Sequence, residues 1–219
     1  MNAQQPMRQA PAPALPPVDE IIEILPLQID PQTKAISAPS LASNKALQAE
    51  LAALNTLHRS LLTLETPSQT PPPPIPVNPK RSAQVTKLRD SGNDCYRKQK
   101  YAEAIKFYGL GIDMALKRPY WEPQQLVREE IASLYANRAQ AHMGLQSWAE
   151  GAVDAEASVE AKRVGNAKAW WRRGRCLYEM GRLDEARDWV SRGLEMEGEE
   201  AELKTLLSDI KTKLAAKSS

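Results

Sequence analysis

A chain of 219 residues with 42% apolar content can build one ordinary domain plus extensions, or two small domains. Its 29 Lys and Arg against 27 Asp and Glu leave a net charge of +2. That balance argues against nucleic-acid binding, which draws most of its affinity from a strongly basic face. Two cysteines, Cys95 and Cys176, exclude a disulfide framework and suit a reducing compartment.

Residues 1–20, rich in Ala, Pro and Gln, have little to bury and read as a disordered N-terminus. They lack the charged start and apolar core of a secretory signal. No later apolar run approaches the roughly 20 residues that span a bilayer. A soluble, cytosolic chain is therefore expected, with any membrane association made through a partner.

Residues 21–64 come next. "IIEILPLQIDPQTKAIS" places apolar and β-branched residues on either side of "DPQT", which predicts a short hairpin whose Pro26 sits on an edge. "SNKALQAELAALNTLHRSLLTL" predicts a helix, because Leu47, Leu51, Leu54 and Leu61 recur at spacings of three, four and seven. One helix and a small hairpin cannot close a core alone, so this segment is expected to pack on another protein. Residues 65–82 hold all seven prolines found between positions 66 and 79 and read as a stiff, extended spacer.

From residue 83 the pattern is helical, and it repeats. Glu103, Glu150 and Glu185 correspond; so do Gly92, Ala139 and Gly174, and Gly111, Ser158 and Gly193. Tyr101, Trp148 and Leu183 supply bulk at the start of each second helix. Every set is separated by the same two steps, 47 and then 35 residues. A step near 34 residues resembles the tetratricopeptide repeat, a helix–turn–helix unit that stacks into a superhelix. The resemblance implies an all-α fold: three repeats over residues 83–196 and a solvating end helix over 199–217. The longer first step falls at 116–128, around Pro119 and Pro123, and reads as lengthened helices about a protruding turn.

In such arrays the first helix of each repeat lines a concave groove. One large group, the co-chaperones that hold the C-terminal tails of cytosolic heat-shock chaperones, carries a carboxylate clamp at five groove positions. The sequence resembles that pattern through "LRDSGND" with Arg89 and Asn93, "LYANRAQ" with Asn137, and "KAWWRRG" with Lys168 and Arg172. Arg89 stands where the resemblance implies lysine, keeping the charge but changing the donor geometry. Residues four apart share a helix face, so two donor pairs flank one amide. That set suits a peptide ending in aspartate, which presents two carboxylates together. On this reading Lys168 and Arg172 face the ligand, Trp170 and Trp171 pack against neighbouring helices, and Arg173 and Arg175 lie on the outer surface.

The competing readings are plain. A lysine or arginine on a helix is ordinarily solvated surface, and only the five positions together argue for a clamp. His58 and His142 have no acid–nucleophile company, and there is no phosphate loop or metal-ligand cluster. No cofactor, metal or catalytic activity is expected. The order of segments, with "GIDMALKRPYWE" and "WVSRGLEMEGEEAELKTLLSDI", resembles the cytosolic tetratricopeptide subunit of the fungal endoplasmic-reticulum post-translational translocation complex. The resemblance implies a peripheral protein on the cytosolic face of that membrane. Residues 21–80 would bind a membrane-anchored companion subunit, and the groove would hold tails of heat-shock-70-class chaperones. A free cytosolic co-chaperone with the same clamp is the alternative.

Overall fold

The computed structural model describes residues 26–38, 44–64 and 73–218. The expected disordered N-terminus (1–20), the first residues of the expected hairpin (21–25) and residues 65–72 of the expected spacer lie outside them. The described residues fall into two compact units, one ending at Leu64 and the other starting at Pro73.

In the first unit a two-stranded antiparallel ladder pairs β1 (Gln28–Ile29) with β2 (Ile36–Ser37), Ile29 opposite Ile36. The turn forms because the Asp30 carboxylate accepts from the backbone N–H of Gln32 (2.8 Å) and Thr33 (2.7 Å), an Asx-turn. Helix α1 (Lys45–Leu62) starts at Asn44, whose side chain caps the N–H groups of Ala46 and Leu47. Asn55 of α1 then acts as a surrogate strand. Its Oδ1 accepts from Ile36 N (2.8 Å) and its Nδ2 donates to Ile36 O (2.7 Å), pairing the edge of β2. The leucine stripe reaches only partial burial, and α1 has no fully buried residue.

The second unit is all helical. Its elements are α2 (Pro79–Arg97), α3 (Tyr101–Leu116), α4 (Gln124–Gly144), α5 (Trp148–Ala161), α6 (Ala167–Glu179), α7 (Leu183–Glu197) and α8 (Ala201–Ser218). Helix α2 begins inside the stretch expected as spacer, because Asn78 caps it and Pro79 suits the first helical position. Consecutive helices pair as α2–α3, α4–α5 and α6–α7. The first helices also touch in series, α2 to α4 to α6, and α8 covers α6 and α7. This is the tetratricopeptide arrangement, closed by its end helix.

Small residues fix the pairing. A Cβ at Gly92 would lie 2.5 Å from Cε1 of Tyr108, and one at Gly174 would lie 2.4 Å from Cγ2 of Val190. Ala139 fills the equivalent place in the middle repeat and is fully buried. Two apolar clusters result: Val85, Tyr108, Ile112 and Leu134 in the first half, and Trp170, Leu177, Val190, Leu203 and Ile210 in the second.

Each repeat turns at a left-handed residue: Gln99 (φ 59), Gln146 (φ 58) and Gly181 (φ 74). The following N–H returns to the helix it left, Lys100 to Cys95 O (2.9 Å), Ser147 to His142 O (3.0 Å) and Arg182 to Leu177 O (2.9 Å). That is the Schellman closure, three times over. The longer first step lengthens α4 to 21 residues, against 13 in α6. Arg118, with its side chain only 1% exposed, ties the intervening turn down. It donates to Glu130 (2.9 and 2.5 Å), Glu122 (2.5 Å) and Ser82 Oγ (2.8 Å).

Candidate peptide-binding groove

The five predicted residues stand on α2, α4 and α6, the helices that touch in series. Asn93 and Asn137 meet directly: Asn137 Nδ2 donates to Asn93 Oδ1 at 3.2 Å. The same oxygen accepts from the hydroxyl of Tyr108 at 2.8 Å. Arg89, one turn before Asn93, is half-exposed and rests loosely on Asp90 through contacts of 3.4 and 3.5 Å.

Lys168 and Arg172 share a face of α6 but occupy different depths. Lys168 is exposed, and its ammonium has no hydrogen-bond or ion-pair partner among the described residues. It lines a cavity with Asn166, Trp171, Glu197, Glu200 and Glu202. Arg172 is buried at 7% exposure. Nη1 donates to the Ala136 carbonyl at 2.9 Å and Nη2 to Gln140 Oε1 at 2.6 Å, both on α4. Those bonds use two of the five N–H donors of a guanidinium. Arg172, expected to face a ligand beside Lys168, is buried against α4.

That burial carries the electrostatics. Desolvation lowers the pKa of Arg172 from the usual arginine value. Buried charges are ordinarily paired with a countercharge, yet Arg172 has no carboxylate partner among the described residues. Burial also pushes the phenol of Tyr108 up to about 12, so it remains an O–H donor at neutral pH. The set combines a buried cation without an ion-pair partner among the described residues and an amide, Asn93, whose oxygen is already engaged.

Three residues carry parts that the sequence did not reveal. Tyr108 belongs to an outer helix, and its only signal was an aromatic facing the Gly92 column. Gln140 lies three residues after Asn137, which places it near that face of α4. Trp171 packs, partly buried, against the second apolar cluster as expected, and in addition lines two cavities beside α8. Arg175 shares the second of these cavities, so it too lies on this side, as positions 168, 171, 172 and 175 of one helix face require. Arg173 stacks over Trp189 at 4.2 Å and pairs with Glu156, and Trp170 is buried as expected. His142 is half-buried beside Asp154 at 3.6 Å.

A tetratricopeptide repeat family model matches residues 149–210. The chain is 37% identical over 143 residues to the ER protein translocation subcomplex subunit sec67 of Schizosaccharomyces pombe, spanning 64% of this chain and 74% of that protein. The chain belongs to that family of translocation subunits. Like a chain in the Sec complex of S. cerevisiae, this family member has the same fold over 89% of its length and all of that chain, with TM-score 0.69 at 24% identity. Its repeats also match the second TPR domain of human RPAP3, solved with the HSP70 peptide SGPTIEEVD. The likeness has 28% identity and TM-score 0.51, over 60% of this chain and 98% of that one.

Proposed function

We propose that the chain is a non-catalytic adaptor of post-translational translocation into the endoplasmic reticulum. Its groove holds the acidic C-terminal tail of a cytosolic heat-shock-70-class chaperone and so brings the chaperone's precursor cargo to the translocon. The observation that carries this reading is Arg172, a buried cation with no carboxylate partner among the described residues, on one helix face with Lys168 and bonded to α4 next to Asn137, which pairs with Asn93. A tail ending in aspartate supplies two carboxylates to that set. Kinship with a translocation subunit, and likeness to a domain solved with such a tail, support the same assignment.

The first unit supplies the attachment. Helix α1 buries no residue completely, and no described helix is long and apolar enough to cross a membrane. Residues 21–80 bind a membrane-anchored companion subunit, which holds the chain on the cytosolic face. Chaperone co-sedimentation with microsomes loaded with the full chain tests both halves. Lys168→Ala should release the chaperone and leave the chain on the membrane; deletion of residues 21–64 should release both. Chaperone recruitment unchanged by Lys168→Ala contradicts the groove, and a full chain that never sediments would be a free co-chaperone.

A further inference from the structure

We infer that Tyr108, on the outer helix α3, is a positioning residue that sets the polarity of the groove at Asn93 by forcing that amide to present N–H and not C=O. The inference rests on the peptide-groove reading above and adds to it the origin of its selectivity for a free carboxylate.

The geometry is specific. Tyr108 is 1% exposed and reaches Asn93 across the space left by Gly92, where any Cβ would strike its ring. An amide oxygen has two lone pairs, and those of Asn93 are taken by Tyr108 Oη (2.8 Å) and Asn137 Nδ2 (3.2 Å). The Nδ2 group of Asn93 is left with both hydrogens and no partner among the described residues. Asn137 keeps one N–H and its Oδ1 without a partner among the described residues.

Turning both amides over gives a second network with as many contacts between the two asparagines. Asn93 would then donate to Tyr108 Oη and to Asn137 Oδ1, and Asn93 would show the groove its oxygen, which repels a carboxylate. The hydroxyl proton of Tyr108 decides between the two. In the turned arrangement its O–H has no acceptor among the described residues, and a buried donor without an acceptor is strongly disfavoured. A phenylalanine at this position would fill the same space and remove the decision. The two amide orientations would come close in energy, and a share of molecules would offer the wrong polarity.

Calorimetric titration of the full-length wild type and Tyr108→Phe with SGPTIEEVD, as free acid and as C-terminal amide, tests the assignment. Tyr108→Phe should bind the free acid about three- to tenfold more weakly, the effect of one hydrogen bond, with the amide peptide little changed. The ratio of the two affinities should contract by the same factor, a change that packing alone would not produce. Wild type that binds both forms equally overturns the groove reading itself. Wild type that discriminates, beside a Tyr108→Phe variant that discriminates equally, overturns the role of Tyr108 alone. Thermal unfolding checks that the variant is folded. A measurement on wild type decides the matter if it is not: the free acid should shift the Asn93 side-chain amide proton signals downfield, and bound peptide without that shift overturns the proposal.

Discussion

Two buried arginines show how a residue's neighbours separate structure from function. Arg118 is surrounded by Glu122 and Glu130 and closes a turn. Arg172 has a carbonyl and an amide for hydrogen-bond partners and no carboxylate in contact among the described residues. Helical spacing made Arg89, Asn93, Asn137, Lys168 and Arg172 legible as a set. It could not show depth, which depends on how closely α4 and α6 approach, or the hydroxyl of Tyr108 arriving from another helix. His142 illustrates a purely structural group whose effect is measurable. Burial lowers its pKa below the usual histidine value, against the opposing pull of Asp154. The folded state therefore binds this proton less readily than the unfolded state, and stability falls as pH drops through 6.5 toward the folded pKa. Denaturant titrations of wild type and His142→Gln between pH 7.5 and 5.5 should show a smaller acid loss in the variant; parallel losses would contradict this account.

At the scale of elements, the repeat steps of 47 and 35 residues also relate Gln99, Gln146 and Gly181, the three left-handed turn residues. Two of them bear a side chain in a conformation that costs a non-glycine residue about 1 kcal/mol. Part of that strain is offset by the greater freedom of glycine in the unfolded chain. Gln146→Gly should raise the thermal midpoint by about 1–3 °C, and Gly181→Ala should lower it by a similar amount. Nothing lies within 4 Å of a Cβ at Gly181, so its loss would be conformational alone. Differential scanning fluorimetry checks both signs; a fall with Gln146→Gly would contradict the turn assignment. The repeats were readable because small residues recur where helices must touch. The start of α2 was misread because the proline run hid the Asn78–Pro79 helix start, which belongs to capping chemistry and not to periodicity.

At the scale of the molecule, the two units have different kinds of stability. The repeat unit carries its own apolar clusters and end helix, so its fold follows from its own sequence. The first unit has a capped helix clasped to a small ladder through Asn55, and a leucine stripe without full burial. Its architecture was legible from the "DPQT" turn and the leucine spacing. The depth of its burial was not, because spacing marks an apolar face and not what covers it. Such a division suits an adaptor, in which one unit attaches and the other grips. The gripping claim is tested most directly by titrating the full chain calorimetrically with a chaperone-tail peptide as free acid and as C-terminal amide. The donor-lined floor predicts a dissociation constant near micromolar, about −8 kcal/mol, for the free acid and at least about tenfold weaker binding of the amide. Equal affinity for the two forms would contradict it.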